Sequence, residues 1–323
     1  MLTMYDCAGN TLARREGIAD VGTATVWIDL LNPTNEEDAH VERALGISIP
    51  TRAEMREIEA SNRVYQENGA HFMTALIMYN VEAPVPASST VTFILAGNRV
   101  VTVRYSEPKS FPLFLSRVEK GDVPCSSGPA IMTGLLESII HRQADLIERI
   151  QDEVDRLALQ IFEIKGGQAT RNRRLDVLLK GTGKEGDLTS KAQESAFSLE
   201  RVLTYLQHAV TERGDDARVL PRIETARRDI GSLMEHMRFL NNRTTFLLDA
   251  ALGMINIEQN QIIKIFSIVA VVLMPPTLVG TIYGMNFQHL PEIKWTYGYP
   301  MALILMVVSA LVPLWYFRRR GWL

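Results

Sequence analysis

The chain is 323 residues long, 46% apolar and 22% charged, with 21 Gly, 14 Pro and two cysteines, Cys7 and Cys125. That composition excludes a disordered, collagen-like or disulfide-stapled protein, and two thiols are too few for a thiolate metal cluster. The formal net charge is −3, but Lys264, Glu292, Lys294, Arg318, Arg319 and Arg320 sum to +4, which leaves residues 1–261 at −7; an acidic bulk argues against a nucleic-acid partner and suits cations.

No apolar run stands at the N-terminus, so no secretory signal is expected and the first domain is expected in the cytoplasm. Residues 1–128 read as a cytoplasmic α/β domain. Runs 26–31 (VWIDLL), 72–79 (FMTALIMY), 90–95 (TVTFIL) and 99–105 (RVVTVRY) predict strands, the last two joined by a Gly97-Asn98 hairpin turn. Thr34 or Asn35 is placed to cap a short helix to Leu45, and Thr51 another through Ala60. Segment 107–128, rich in Pro, Ser and Gly, reads as ending in a linker. No phosphate-binding loop, catalytic triad or metal-ligand motif occurs in this part.

Residues 129–261 read as a cytoplasmic helical domain. One helix is expected over 130–165, stopped by Gly166-Gly167. Residues 181–186 (GTGKEG) read as a loop, and a second helix is expected over 188–213 with a solvated outer face. Asp215 or Asp216 and Pro221 supply start signals for a third. Positions 223, 230, 237, 244 and 251 are Ile, Ile, Met, Thr and Ala, and positions 226, 233, 240, 247 and 254 are Ala, Leu, Leu, Leu and Met. This seven-residue repeat fits a packing seam, and no proline interrupts it between Arg222 and Met274. A single stalk helix of about sixty residues, roughly 90 Å, is therefore expected to run into the apolar end of the chain.

Residues 262–323 read as a transmembrane domain. Run 265–283 (IFSIVAVVLMPPTLVGTIY) is uncharged over 19 residues, and run 299–317 (YPMALILMVVSALVPLWYF) has the same length and no charge. At about 1.5 Å per residue each covers roughly 28 Å, enough for a hydrocarbon core of about 30 Å. Lys264 precedes the first run and Arg318, Arg319 and Arg320 follow the second, whereas the loop between them carries one Lys and one Glu. The positive-inside bias then puts both termini in the cytoplasm. Two helices cannot enclose a pore, so transport would need several copies around an axis.

On a straight helix Ile263, Ser267, Ala270, Met274, Thr277 and Thr281 fall within roughly 40° of one line at about 100° per residue. The stripe is small, weakly polar or thioether, which suits either a pore lining or close helix packing. Pro275 and Pro276 lack N–H donors and should bend the helix.

Directly after the first span come Tyr283, Gly284, Met285, Asn286 and Phe287, then Leu290, Pro291 and Glu292, and later Trp295, Gly298, Tyr299 and Pro300, before a basic tail ending Gly-Trp-Leu. This layout resembles the CorA family of magnesium transport proteins, most strongly over residues 260–323, and Trp27–Leu30 (WIDL) resembles the family's N-terminal domain. Leu290 stands where Met is common before Pro-Glu, and the proline at 275–276 is doubled.

The resemblance implies a homopentameric funnel in a bacterial inner membrane, with the first spans lining a central pore. Gly284, Met285 and Asn286 would form the selectivity filter, Asn286 ringing the outer mouth, and Glu292 would raise the local cation concentration. Mg2+ demands octahedral oxygen ligation and gives up water reluctantly, so neutral amide oxygens can bind the hydrated ion without stripping it. Constriction is expected near Ile263, Phe266, Met274 or Thr277. Asp249 matches the family's regulatory magnesium-binding aspartate, with Glu82 the candidate partner from a neighbouring subunit. Mg2+ is thus expected as both cargo and regulator, with no organic cofactor, no enzymatic activity, and only its own copies, divalent cations and lipid as partners. The alternatives are a Zn2+, Co2+ or Ni2+ transporter of the same family, or a two-span sensor without transport.

Overall fold

The computed structural model describes residues 1–9, 11–56, 63–81, 83, 86–162, 168–214, 218–285 and 295–322, the side chains of 168–174 excepted. They fall into two compact units, Met1–Phe162 with Lys180–Leu248, and Glu163–Leu179 with Asp249–Leu323.

The first unit is built on a seven-stranded sheet. Its strands are β1 (Leu2–Ala8), β2 (Thr11–Glu16), β3 (Thr25–Leu31), β4 (Val64–Glu67), β5 (Ala70–Tyr79), β6 (Ala87–Ala96) and β7 (Arg99–Arg104), in the order β2-β1-β3-β7-β6-β5-β4. Every neighbouring pair is antiparallel except β3 with β7. The expected turn closes β6 onto β7, with Ala96 opposite Arg99 and Gly97 at φ 57°. The four expected strands are β3, β5, β6 and β7. The strands that sequence reading missed, β1, β2 and β4, lie at or next to the sheet edges, where β2 (TLARRE) is mostly exposed and charged.

The WIDL segment is central to this core. Trp27 lies flat on Tyr5 at 4.3 Å and meets Phe114 edge-on at 5.7 Å. Its indole N–H donates to Thr102 Oγ1 at 3.0 Å, and Thr102 donates to Asp29 Oδ1 at 2.6 Å. Asp29 also accepts from Arg104 Nη2 at 2.7 Å and Nε at 3.0 Å, and Arg104 Nη1 donates to the Ser106 carbonyl at 2.8 Å. The buried carboxylate is thereby paired and hydrogen-bonded, the condition under which a charge survives in an apolar interior.

Helix α1 (Asn35–Leu45) begins at Thr34, whose hydroxyl accepts from the Glu37 N–H while the Glu37 carboxylate accepts from the Thr34 N–H. Thr51 and Glu54 make the same reciprocal contacts, and the described residues there form a short 3-10 turn, Glu54–Arg56. Residues 57–60 of the expected helix lie outside the described residues. Segment 107–128 does end in a connection, residues 120–127, but before it stands helix α2 (Ser110–Glu119), with Phe111, Phe114 and Val118 buried. Its three large apolar side chains, spaced three and four apart, outweigh the local Pro and Ser signals.

Helix α3 (Gly128–Phe162) starts against the β6–β7 turn, where the Gly128 N–H donates to the Asn98 carbonyl at 2.8 Å. A Cβ on Gly128 would sit 2.6 Å from the Arg99 carbonyl carbon. Helix α4 (Gln168–Arg213) corrects two readings at once. Residues 181–186 are helix and not loop, and the helix begins twenty residues before Leu188. The glycines serve close approach instead of a turn. A Cβ on Gly181 would meet Leu157 of α3 at 3.1 Å, and one on Gly186 would meet Thr244 at 3.3 Å. Thr182, Glu185 and Thr189 between and beside them are buried.

Helix α5 (Val219–Tyr283) is continuous over 65 residues, about 98 Å at 1.5 Å per residue. Pro221 stands in its first turn, while Asp215 and Asp216 lie outside the described residues. Of the repeat, Ile223, Ala226, Ile230, Met237, Leu240, Thr244, Leu247 and Ala251 are buried, and Leu233 and Met254 are half-buried. Polar clamps tie α5 to α3 in the first unit: Arg222 grips Glu137 at 2.7 and 2.9 Å, His236 meets Gln151 at 2.8 Å, and Arg243 pairs with Asp155. In the second unit α6 (Gly298–Arg319) packs antiparallel on the end of α5. Gly280 lies against Met306, and Lys264 lies over Trp322.

Candidate functional site

Among the described residues, α5 and α6 are long and apolar enough to cross a membrane. Their large apolar side chains are bare: Phe266 is 72% exposed and Met274 68%. Such continuous apolar surface is unusual for a helix facing water and fits a membrane protein.

The two faces of α5 differ. Ile263, Ser267, Ala270, Met274, Thr277 and Thr281 are all exposed. Ile268 is buried, and Val272, Pro275, Pro276, Val279, Gly280 and Tyr283 are half-buried. At about 100° per residue that covered set centres on the side opposite the stripe. Helix α6 touches it there, where a Cβ on Gly280 would come 3.2 Å from the Met306 methyl. Within one chain, the weakly polar stripe is turned away from its helical partner.

Hydroxyls stand at three of the six stripe positions, Ser267, Thr277 and Thr281. Thr277 Oγ1 donates to the Leu273 carbonyl and Thr281 Oγ1 to the Thr277 carbonyl, both at 2.8 Å. Each hydroxyl proton is used within the helix, which leaves oxygen lone pairs facing outward. The helix continues through Pro275 and Pro276, so the Val271 and Val272 carbonyls have no N–H to accept from four residues on.

Helix α5 ends at Tyr283. The Gly284 N–H donates to the Gly280 carbonyl at 3.0 Å, and a Cβ on Gly284 would stand 3.0 Å from that oxygen. Met285 is exposed. Asn286 and Glu292 lie outside the described residues, as does Glu82. Asp249 is an exposed helix residue, between buried Leu247 and Ala251 on the α5 seam. Among the described residues no three His, Cys, Asp or Glu side chains gather as a metal site.

Two features escaped sequence reading. The first is the Asp29–Arg104 pair, signalled only by an Asp and an Arg inside otherwise apolar strands. The second is the proximity of the only two thiols. Burial, and then neighbouring Cys7, push the Cys125 thiol up to about 11.

The sequence profile described as CorA-like Mg2+ transporter protein matches residues 22–319. The chain belongs to this family. The magnesium transport protein CorA of Escherichia coli (strain K12) is 35% identical over 327 residues, covering 100% of both chains. That of Yersinia pseudotuberculosis serotype I is 34% identical over 324 residues, again with 100% of both covered. The solved CorA magnesium transporter from Methanocaldococcus jannaschii shares the fold, with a TM-score of 0.78 at 19% identity, over 100% of this chain and 99% of that one. CorA membership accounts for the α/β domain, the long helices and the two apolar C-terminal helices as one architecture, and puts the chain among ion transporters, not enzymes.

Proposed function

We propose that this CorA-family chain mediates Mg2+ uptake across a bacterial inner membrane as a homopentamer with both termini in the cytoplasm. The observation that carries the reading is the exposed oxygen-bearing stripe of α5, opposite the α6 contact, in a chain that aligns end to end with magnesium transport proteins. Five stripes facing one axis would supply a water-filled path without a closed barrel in any single chain. Asn286 amides would ring the outer mouth beside Gly284 and Met285, and Glu292 would concentrate cations there. The amide oxygens accept hydrogen bonds from an ion that keeps its first water shell.

The driving force is electrical. An inward divalent ion gains about 4.6 kcal/mol per 100 mV, enough for roughly a thousand-fold accumulation without a nucleotide. Intracellular Mg2+ bridging Asp249 and an acidic residue such as Glu82 of a neighbouring copy would hold the rods symmetric and narrow the path near Ile263, Phe266, Met274 or Thr277. Loss of that ion would let like charges separate the rods.

The test is flux into vesicles holding the purified full-length protein under an inside-negative potential. Wild type admits Mg2+, Asn286→Ala loses tenfold or more of that flux, roughly 1.4 kcal/mol, and Asp249→Ala keeps conducting when internal Mg2+ is high. Vesicles tight to every divalent metal would overturn the transport reading. Flux of Zn2+, Co2+ or Ni2+ without Mg2+ would overturn the choice of ion.

A further inference from the structure

The end of α6 is built more elaborately than an interfacial anchor requires. Arg320 caps the helix and Gly321 follows at φ 70°. The Gly321 N–H donates to the Arg318 carbonyl at 3.2 Å, and the Trp322 N–H reaches back to the Phe317 carbonyl at 3.0 Å. This is a Schellman closure, complete with its apolar contact, because the Trp322 ring stacks on Phe317 at 5.4 Å. The last carbonyls, the negative pole of the helix, are thereby occupied.

The closure has an electrostatic consequence. It brings Trp322 under the ammonium of Lys264 on α5, 5.0 Å from the ring centre. One turn of α6 does the same for two arginines. Arg319 lies over Trp315 at 5.4 Å and Arg320 over Tyr316 at 5.6 Å. These rings are themselves exposed, Trp315 by 61%. Among the described residues, none of Lys264, Arg318, Arg319 and Arg320 forms an ion pair.

A guanidinium laid face-on over a ring satisfies its face and leaves the N–H donors along its edge unused. Those donors match paired oxygens of a phosphodiester, which a guanidinium takes bidentately. The amphipathic rings fix the depth, since Trp and Tyr settle at the headgroup level where lipid phosphates lie. These four cations, without an ion pair among the described residues and three of them held over aromatic faces, would therefore meet the phosphate layer of a leaflet.

We propose that Lys264 and the end of α6 form a seat for the phosphodiester headgroup of an anionic phospholipid, which clips the two spans together at that leaflet. The proposal rests on the reading that α5 and α6 cross the bilayer. A lipid is favoured over a dissolved anion because the flanking surface is apolar and exposed, and only an amphiphile covers both.

Full-length protein is purified in mixed micelles of equal phosphatidylglycerol and phosphatidylcholine, and the lipid retained after washing is measured by mass spectrometry. Phosphatidylglycerol should be enriched about fivefold or more, the scale expected for one or more basic side chains near an anionic headgroup. The triple variant R318Q/R319Q/R320Q should return the ratio to that of the micelle. R318K/R319K/R320K, with the same charge but without the fork, should fall between. Trp322→Ala, which keeps all four charges, should lower the enrichment by releasing Lys264.

An unselective wild type, or a glutamine variant as selective as wild type, would overturn the seat. Loss of enrichment in 10-fold excess inorganic phosphate over lipid would assign the cations to a dissolved anion and overturn the choice of lipid. Protein that leaves the membrane fraction without detergent would instead overturn the spanning reading, so the two failures are separable.

Discussion

The two units handle apolar surface in opposite ways. In the first unit Ile94 is fully buried in a sheet whose polar intruders are matched, down to the Asp29–Arg104 pair. In the second, Ile304 of α6 is 65% exposed, and α6 buries only Gly298 and Ala302. The same residue type thus reports two solvents. The first unit satisfies its own core, and the second leaves its apolar side chains bare, as helices that cross a lipid bilayer do. That contrast is what separates a transport module from a soluble domain with an added tail.

The largest expected effect attacks the first half of the contrast. Asp29→Ala leaves Arg104 buried without its counter-charge and should destabilise the first unit by about 3–5 kcal/mol. Urea unfolding of the full-length protein in micelles reads this as a lowered midpoint at unchanged slope. An unchanged midpoint would mean water reaches Arg104, and that the sheet is not the closed core described.

Next comes a matched pair of substitutions across the two units. Ile94→Ala should cost about 2–5 kcal/mol through lost burial and the cavity left behind. Ile304→Ala should stay within about 0.5 kcal/mol in the same micelles, as exposed positions do. A large loss at Ile304 would show that this side of α6 packs on protein, and would redraw the boundary between lipid-facing and subunit-facing surface.

A smaller difference separates the two thiols. Cys7 is partly exposed, whereas burial holds Cys125 at about 11, so little thiolate exists there at neutral pH. A maleimide should modify Cys7 within minutes and Cys125 only after unfolding, as resolved by peptide mass spectrometry. Equal rates would show that the start of the segment before α3 opens readily.

What sequence could and could not reveal follows the same divide. The membrane helices were legible because an uncharged run of 19 residues has few other physical meanings. The α5 seam was legible because a repeat held over five heptads leaves little choice of face. Residues 181–186 were misread because glycine has two uses. It relaxes a turn, and it also admits a neighbouring helix, and only the position of Leu157 and Thr244 tells which. The hidden start of α4 and the unforeseen helix α2 share one cause: tertiary packing overrode weak local propensity. Asn286, Glu292 and Glu82 rest on resemblance alone. Their proposed chemistry arises between copies, where one chain's periodicity carries no signal.

The smallest expected effect probes the misread turn of α4. Glu185 is 8% exposed there, and its carboxyl is held above the usual carboxylate range by burial, then by the nearby charge of Glu153, against the opposing pull of Lys184 and Arg149. A carboxyl whose folded value is raised binds its proton more tightly when folded. Its contribution to stability is therefore present below the unfolded carboxylate range and is lost as pH rises through the folded value. At neutral pH the ionised Glu185 should cost stability, so Glu185→Gln should raise the melting temperature at pH 7.5. The gain should shrink steadily on acidification and vanish below the unfolded carboxylate range, where wild type carries the proton in both states. If Glu185→Gln lowered the melting temperature at neutral pH, the carboxylate would have to be held ionised by a cation, either Arg149 or a bound divalent ion. Repeating the measurement with and without chelator would then tell the two apart.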